Sequence, residues 1–171
     1  MTTARPEPER LCFDEHSWVD ITRGFLPDAK DVYDALVEKV DWRQGRLWRY
    51  ERWIDEPRMG AGFSARNIPV PEMVEAQRTI EKRYGVKFPS VGLAYYRDQR
   101  DSQAFHRDRD MRYLDDTIVA ILSLGARRSW LVGPRGRRDK FLGDNGGATH
   151  DLKPAGGDLM VFGGRFQADW E

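Results

Sequence analysis

Apolar residues recur along this chain first with a helical period and then with the short runs of strands. Val32, Leu36 and Val40 stand four residues apart, with Tyr33 and Val37 beside them. After Pro27-Asp28 this spacing predicts an amphipathic helix over 28–41, with Asp28 as its N-cap. Met73, Ala76, Ile80 and Tyr84 mark the buried face of a second helix over 71–84. Pro71 suits its first turn and Gly85 its stop. Trp18 to Leu26 mixes apolar and polar residues in a strand-like way. The stretch from Trp42 to Phe63, with Trp48, Trp53, Gly60 and Gly62, reads as two short strands or loops near a site.

Past Pro89 the pattern changes. Residues 91–96 (VGLAYY), 117–124 (TIVAILSL), 129–132 (SWLV) and 158–162 (DLMVF) read as strands, the second rich in β-branched residues. Gly133 to Gly147 reads as a Gly- and Arg-rich loop. Helices first and strands afterwards predict an α+β protein whose second half is a β-sandwich or jelly roll. One domain is expected over 1–171. Residues 1–10 would be a flexible tail, 11–89 the helical part, and 90–171 the jelly-roll core.

Composition narrows the class. A length of 171 residues, 40% hydrophobic and 33% charged, fits one soluble globular domain and excludes a disordered chain. Lys plus Arg and Asp plus Glu are both 28, so the net charge is zero and attraction to nucleic acid must come from local clusters. The single cysteine, Cys12, allows no disulfide within the chain and fits a reducing cytoplasm. No apolar run approaches the ~20 residues that span a bilayer. A cytoplasmic monomer without membrane association is the expectation.

The chemically informative segment is Phe105-His106-Arg107-Asp108-Arg109-Asp110. On a strand or at its exit, residues two apart point to the same side, so His106 and Asp108 could aim an imidazole and a carboxylate at one metal ion. Two histidines and one carboxylate form the facial triad of non-haem Fe(II) oxygenases. His-x-Asp alone is a short and weak pattern, more often a surface histidine beside a solvated acid.

Its context is more specific. Tyr96-Arg97-Asp98, Asp101-Ser102 and His106-Arg107-Asp108 follow in order, then Ser123-Leu124-Gly125-Ala126, Gly157-Asp158-Leu159 and Gly163-Gly164-Arg165-Phe166-Gln167. Together they resemble the AlkB family of Fe(II)- and 2-oxoglutarate-dependent dioxygenases, which remove alkyl groups from nucleic-acid bases. A weaker match reaches back to Pro57-Arg58 and Phe63, where the family has its nucleotide-recognition lid.

The resemblance implies a double-stranded β-helix (jelly roll) with N-terminal helices packed on it. It implies His106 and Asp108 as catalytic iron ligands and Tyr96 as a hydrogen-bonding partner of 2-oxoglutarate. Ala94 stands where many relatives have an asparagine that also touches the co-substrate. Asp110 would face the target base and accept from an exocyclic amino group, with Arg58 and Phe63 in the substrate lid. Fe(II), 2-oxoglutarate and O2 would be the cofactor and co-substrates. Alkylated single- or double-stranded DNA, or RNA, would be the partner.

Trp53 is expected in the core rather than in the site, and His150 in a structural or surface role; His16, in the N-terminal segment, has no motif around it. In the family the second ligand histidine comes about one position past Glu171, followed by a strand and two arginines that bind 2-oxoglutarate. A C-terminally truncated member is therefore expected, with the last jelly-roll strands missing and metal binding weakened. Two other readings stay open. One is a dioxygenase of this fold acting on protein or small molecules. The other is a non-catalytic nucleic-acid-binding relative that has lost its iron. The basic residues Arg127, Arg128 and Arg135 to Lys140 favour nucleic acid.

Overall fold

A computed structural model describes residues 5–136 and 150–171; the basic run expected to continue past Gly136 to Lys140 lies outside them. In chain order the elements are β1 (Glu9–Cys12), β2 (Ser17–Thr22), α1 (Ala29–Lys39), β3 (Arg43–Arg49), β4 (Arg52–Ser64), α2 (Pro71–Tyr84), β5 (Ser90–Tyr95), β6 (Thr117–Leu122), β7 (Leu131–Val132), β8 (His150–Asp151), β9 (Leu159–Gly164) and α3 (Phe166–Asp169). The chain divides into two compact units, Met1–Tyr33 with Phe105–Glu171, and Asp34–Ala104. The class is mixed α and β, and every described strand pairing is antiparallel.

The first unit is organised by β9. Leu159, Met160, Val161 and Phe162 are apolar in succession and all buried, so this strand faces protein on both sides. Its backbone groups must then be satisfied on both edges. β2 pairs with one edge and β6 with the other, giving the order β1-β2-β9-β6. The registers align apolar rows across the sheet: Leu11, Val19, Phe162 and Val119 form one row, and Ile21, Met160 and Ile121 the next. These residues share a core with Val132, Leu152 and Phe166.

On the opposite face Trp18 lies against Gly163, its register partner, where any side chain would run into the indole ring. The Arg10 guanidinium stacks 3.7 Å above the Trp18 ring and forks onto Asp20 at 2.7 and 2.8 Å. Gly164 turns the chain out of β9 with φ +66°, a conformation most side chains avoid.

Several expectations shift. The tail expected over 1–10 gives its last residues to β1, and Arg5 donates to the Phe25 carbonyl at 2.8 Å. The core expected from 90–171 alone instead draws two of its four strands from the N-terminal segment. β9 needs a partner on each edge, and β2 presents Val19 and Ile21 in matching register. The strand expected over 129–132 shortens to β7, which among the described residues pairs with the two residues of β8.

The second unit is a three-stranded sheet, β3-β4-β5, with α2 following the hairpin in the chain. The two short strands expected between Trp42 and Phe63 are one long hairpin. Its tip is Tyr50 and Glu51, both left-handed at φ 52° and 60°, the geometry of a tight two-residue turn. α2 matches its expected limits, with Pro71 in the first turn and Gly85 left-handed at the C-cap. β5 pairs with β4 from Val91↔Phe63 to Tyr95↔Met59. It therefore belongs to this hairpin sheet rather than to a core running from 90 to 171.

Two carboxylates fix the connections around β5. Glu81 accepts from Lys87 Nζ (2.8 Å), the Phe88 amide (2.9 Å) and Gln77 Nε2 (3.0 Å), which hold its carboxyl down at about 2. Asp101 accepts from the guanidinium and amide of Arg97 at 2.8 to 2.9 Å and is likewise lowered to about 2. The ordinary values are 4.5 and 3.8. Both groups therefore stabilise the fold fully above those values, and the contribution is lost as pH falls through the folded values near 2. Denaturant titrations over this range should show the wild type losing stability more steeply than the Glu81→Gln, Asp101→Asn double variant. Equal slopes would contradict the two anchors.

Candidate functional site

His106 and Asp108 sit in the irregular segment before β6, not on a strand. Asp108 opens a tight turn, its carbonyl accepting from the Met111 and Arg112 amides at 3.0 Å. His106 Nε2 and Asp108 Oδ1 stand 3.8 Å apart, with 51% and 44% of the side chains exposed. The pair is thus at the surface of its unit, not enclosed in the sheet interior. Adjacent corners of an octahedron with bonds of about 2.1 Å lie about 3.0 Å apart, so the two donors are near enough to share one metal once their side chains close by somewhat under about 1 Å. One imidazole nitrogen and one carboxylate oxygen fit two corners of a facial triad. Among the described residues no third His, Cys, Asp or Glu completes a cluster.

The Gly163-Gly164-Arg165-Phe166-Gln167 stretch explains why the pair is held where it is. Gly164 ends β9, and α3 follows at once, seated by buried Phe166 and Ala168. Phe166 packs edge-on against Phe162 and Phe13 at 4.8 and 5.5 Å between ring centroids. From this platform Gln167 Oε1 accepts the Asp108 amide at 2.8 Å, and the Ala168 carbonyl accepts Arg107 Nη1 at 2.9 Å. Sequence reading matched Gln167 to the family pattern but gave it no role; nothing in the residue itself signals a partner 59 positions away.

Asp158, from the Gly157-Asp158-Leu159 match, is a structural anchor. Burial pushes its carboxyl upward. Hydrogen bonds from the Ala155 and Gly24 amides and the Arg23 guanidinium outweigh that and hold it below the usual carboxylate range. Asp110 lies on the exposed turn after Asp108. His150 packs edge-on against Phe13 at 4.6 Å.

In the second unit, Tyr96 follows β5 and is half-buried. Ala94 pairs with Gly60 within the sheet. Arg58 and Phe63 are both half-buried on β4, Arg58 within the irregularity between Asp55 and Met59 and Phe63 paired with Val91.

Trp53 is a correction. It is 57% exposed, not core, and meets Trp48, 59% exposed, in a cross-strand edge-on pair at 5.5 Å. The hairpin is too narrow for its outer end to bury both faces. Arg46 lies 5.8 Å from the Trp53 ring, and Tyr50 at the tip is 86% exposed. The signal was Trp-x4-Trp around a two-residue turn, which places both indoles opposite each other.

No protein-family model matches the chain. Among curated proteins it is similar to those named alpha-ketoglutarate-dependent dioxygenase alkB homolog 3. It is 27% identical to the alpha-ketoglutarate-dependent dioxygenase alkB homolog 3 of Bos taurus, over 91% of this chain and 59% of the relative. The Homo sapiens protein of the same name is 27% identical over 86% of this chain and 57% of its own length. For that of Rattus norvegicus the values are 25%, 85% and 54%. The chain therefore spans somewhat more than half the length of these relatives.

Asp158→Ala leaves two amides and a guanidinium without their acceptor and should cost roughly 1–3 kcal/mol. Asp110→Ala, on an exposed turn, should stay within about 0.5 kcal/mol of wild type. Urea denaturation of both variants checks this; equal losses would remove the distinction between anchor and candidate site residue.

Proposed function

We propose that the protein is an Fe(II)- and 2-oxoglutarate-dependent dioxygenase of jelly-roll fold that dealkylates N-alkylated bases in DNA or RNA. The observation that carries the reading is the His106–Asp108 pair, 3.8 Å apart on a segment tied to α3. The relatives' names supply the reaction class. His106 and Asp108 would hold the metal. When bound, Fe(II) with 2-oxoglutarate and O2 supplies the oxidation of the alkyl carbon, with succinate and CO2 as by-products.

Tyr96 would hydrogen-bond the 2-oxoglutarate. Asp110, as an exposed carboxylate, can accept from the amino group of adenine or cytosine. Arg58 and Phe63 would contribute to the lid. The reacting base must come from a single strand or be turned out of a duplex. The exposed Trp48, Tyr50 and Trp53, with Arg46, Arg49 and Arg52 on the same hairpin, support a nucleic-acid partner, since bases stack on such side chains and arginines meet phosphates. No helix among the described residues is long and apolar enough to cross a membrane. A cytoplasmic location fits the lone cysteine.

The test is turnover of methylated single- and double-stranded oligonucleotides by full-length protein with Fe(II) and 2-oxoglutarate. His106→Ala should abolish it. Trp53→Ala should weaken oligonucleotide binding by about 1–3 kcal/mol for a lost stacking partner. Normal 2-oxoglutarate-dependent turnover by His106→Ala would overturn the metal assignment, and unchanged oligonucleotide binding by Trp53→Ala would remove the hairpin from the substrate surface.

A further inference from the structure

The segment carrying the metal pair has no ladder to hold it, so something else must fix the spacing of its two donors. We propose that Gln167 is a positioning residue for that pair, an inference that rests on the metal reading of His106 and Asp108. Its Oε1 accepts the Asp108 amide at 2.8 Å, while the Asp108 carbonyl is taken by the Met111 and Arg112 amides at 3.0 Å. Both backbone groups of the ligand residue are thereby fixed, and neither bond uses a carboxylate oxygen. Among the described residues, the ion-pair partner of that carboxylate is His106. The carboxylate thus keeps its acceptor capacity for a cation while its main chain cannot drift.

Arg107, between the two donors, adds a second tie through Nη1 to the Ala168 carbonyl at 2.9 Å and to the Arg112 carbonyl at 3.4 Å. The two ties come from consecutive residues of α3, whose seat is set by Phe166 against Phe162. A side chain that fixes a ligand without touching the metal is an outer-shell group, and losing one typically lowers metal affinity 10–100-fold. The chemistry asks for an oxygen acceptor at the end of a two-methylene stem. Glutamate supplies it, asparagine is one methylene short, and leucine has no acceptor.

The test uses Mn(II) alone as the probe, titrated into full-length protein by calorimetry, with thermal unfolding of the apoprotein measured alongside. Gln167→Leu and Gln167→Asn should each weaken Mn(II) binding by about 10–100-fold while their unfolding transitions stay close to wild type. Gln167→Glu should restore affinity. Wild-type binding that depends on His106, with unchanged affinity in Gln167→Leu and Gln167→Asn, would overturn the positioning role and leave the metal reading intact. So would a loss of affinity that Gln167→Glu fails to restore. Wild-type protein that binds Mn(II) no better than His106→Ala would overturn the metal reading and this inference together.

Discussion

The first unit depends on β9 being buried on both faces and hydrogen-bonded on both edges. A strand reading Leu-Met-Val-Phe cannot leave either face to water, and once buried it cannot leave an edge unpaired. That constraint recruits β2 from one end of the chain and β6 from the middle. It also makes the exit from β9 a point of fixed geometry. The glycine opposite Trp18 lets the strand lie flat against the indole, and the left-handed glycine after it turns the chain into α3. From there the Gln167 and Arg107 hydrogen bonds carry the rigidity of the sheet to a segment that has no regular structure of its own.

Carboxylates do much of the remaining fixing. Asp20, Asp101 and Asp158 are almost fully buried, and each binds an arginine. Each of those arginines is itself about half exposed, so the charge is shared between protein and water rather than sealed in an apolar interior. This use of charge reconciles a net charge of zero with a basic surface feature. Asp20, Glu81, Asp101 and Asp158 are buried, and on the β3–β4 hairpin Arg46, Arg49 and Arg52 are interleaved with exposed aromatic rings.

What the sequence reveals follows from how local each signal is. α2 reads cleanly because its period, its opening Pro71 and its closing Gly85 lie within one stretch. β9 reads cleanly as an apolar run between glycine pairs. The His106–Asp108 pair is visible because its members are two residues apart. The partnership of β2 with β9 is not visible, since it joins Val19 to Phe162 across most of the chain. The hairpin tip is hidden because Tyr50 and Glu51 occupy left-handed positions that asparagine or glycine usually mark. Trp53 is misread as core because an indole's apolar area says nothing about whether a narrow hairpin has a face to bury it against. Gln167 is silent for the same long-range reason as β2.

The central claim is that His106 and Asp108 hold an iron able to take 2-oxoglutarate. The most direct measurement is the visible absorption spectrum of full-length protein loaded anaerobically with Fe(II) and then titrated with 2-oxoglutarate. Chelation of a protein-held Fe(II) by the keto acid should produce a saturable charge-transfer band in the wild type, absent from Asp108→Ala. A wild-type spectrum that does not change on adding 2-oxoglutarate, or an equal band in Asp108→Ala, would contradict the account.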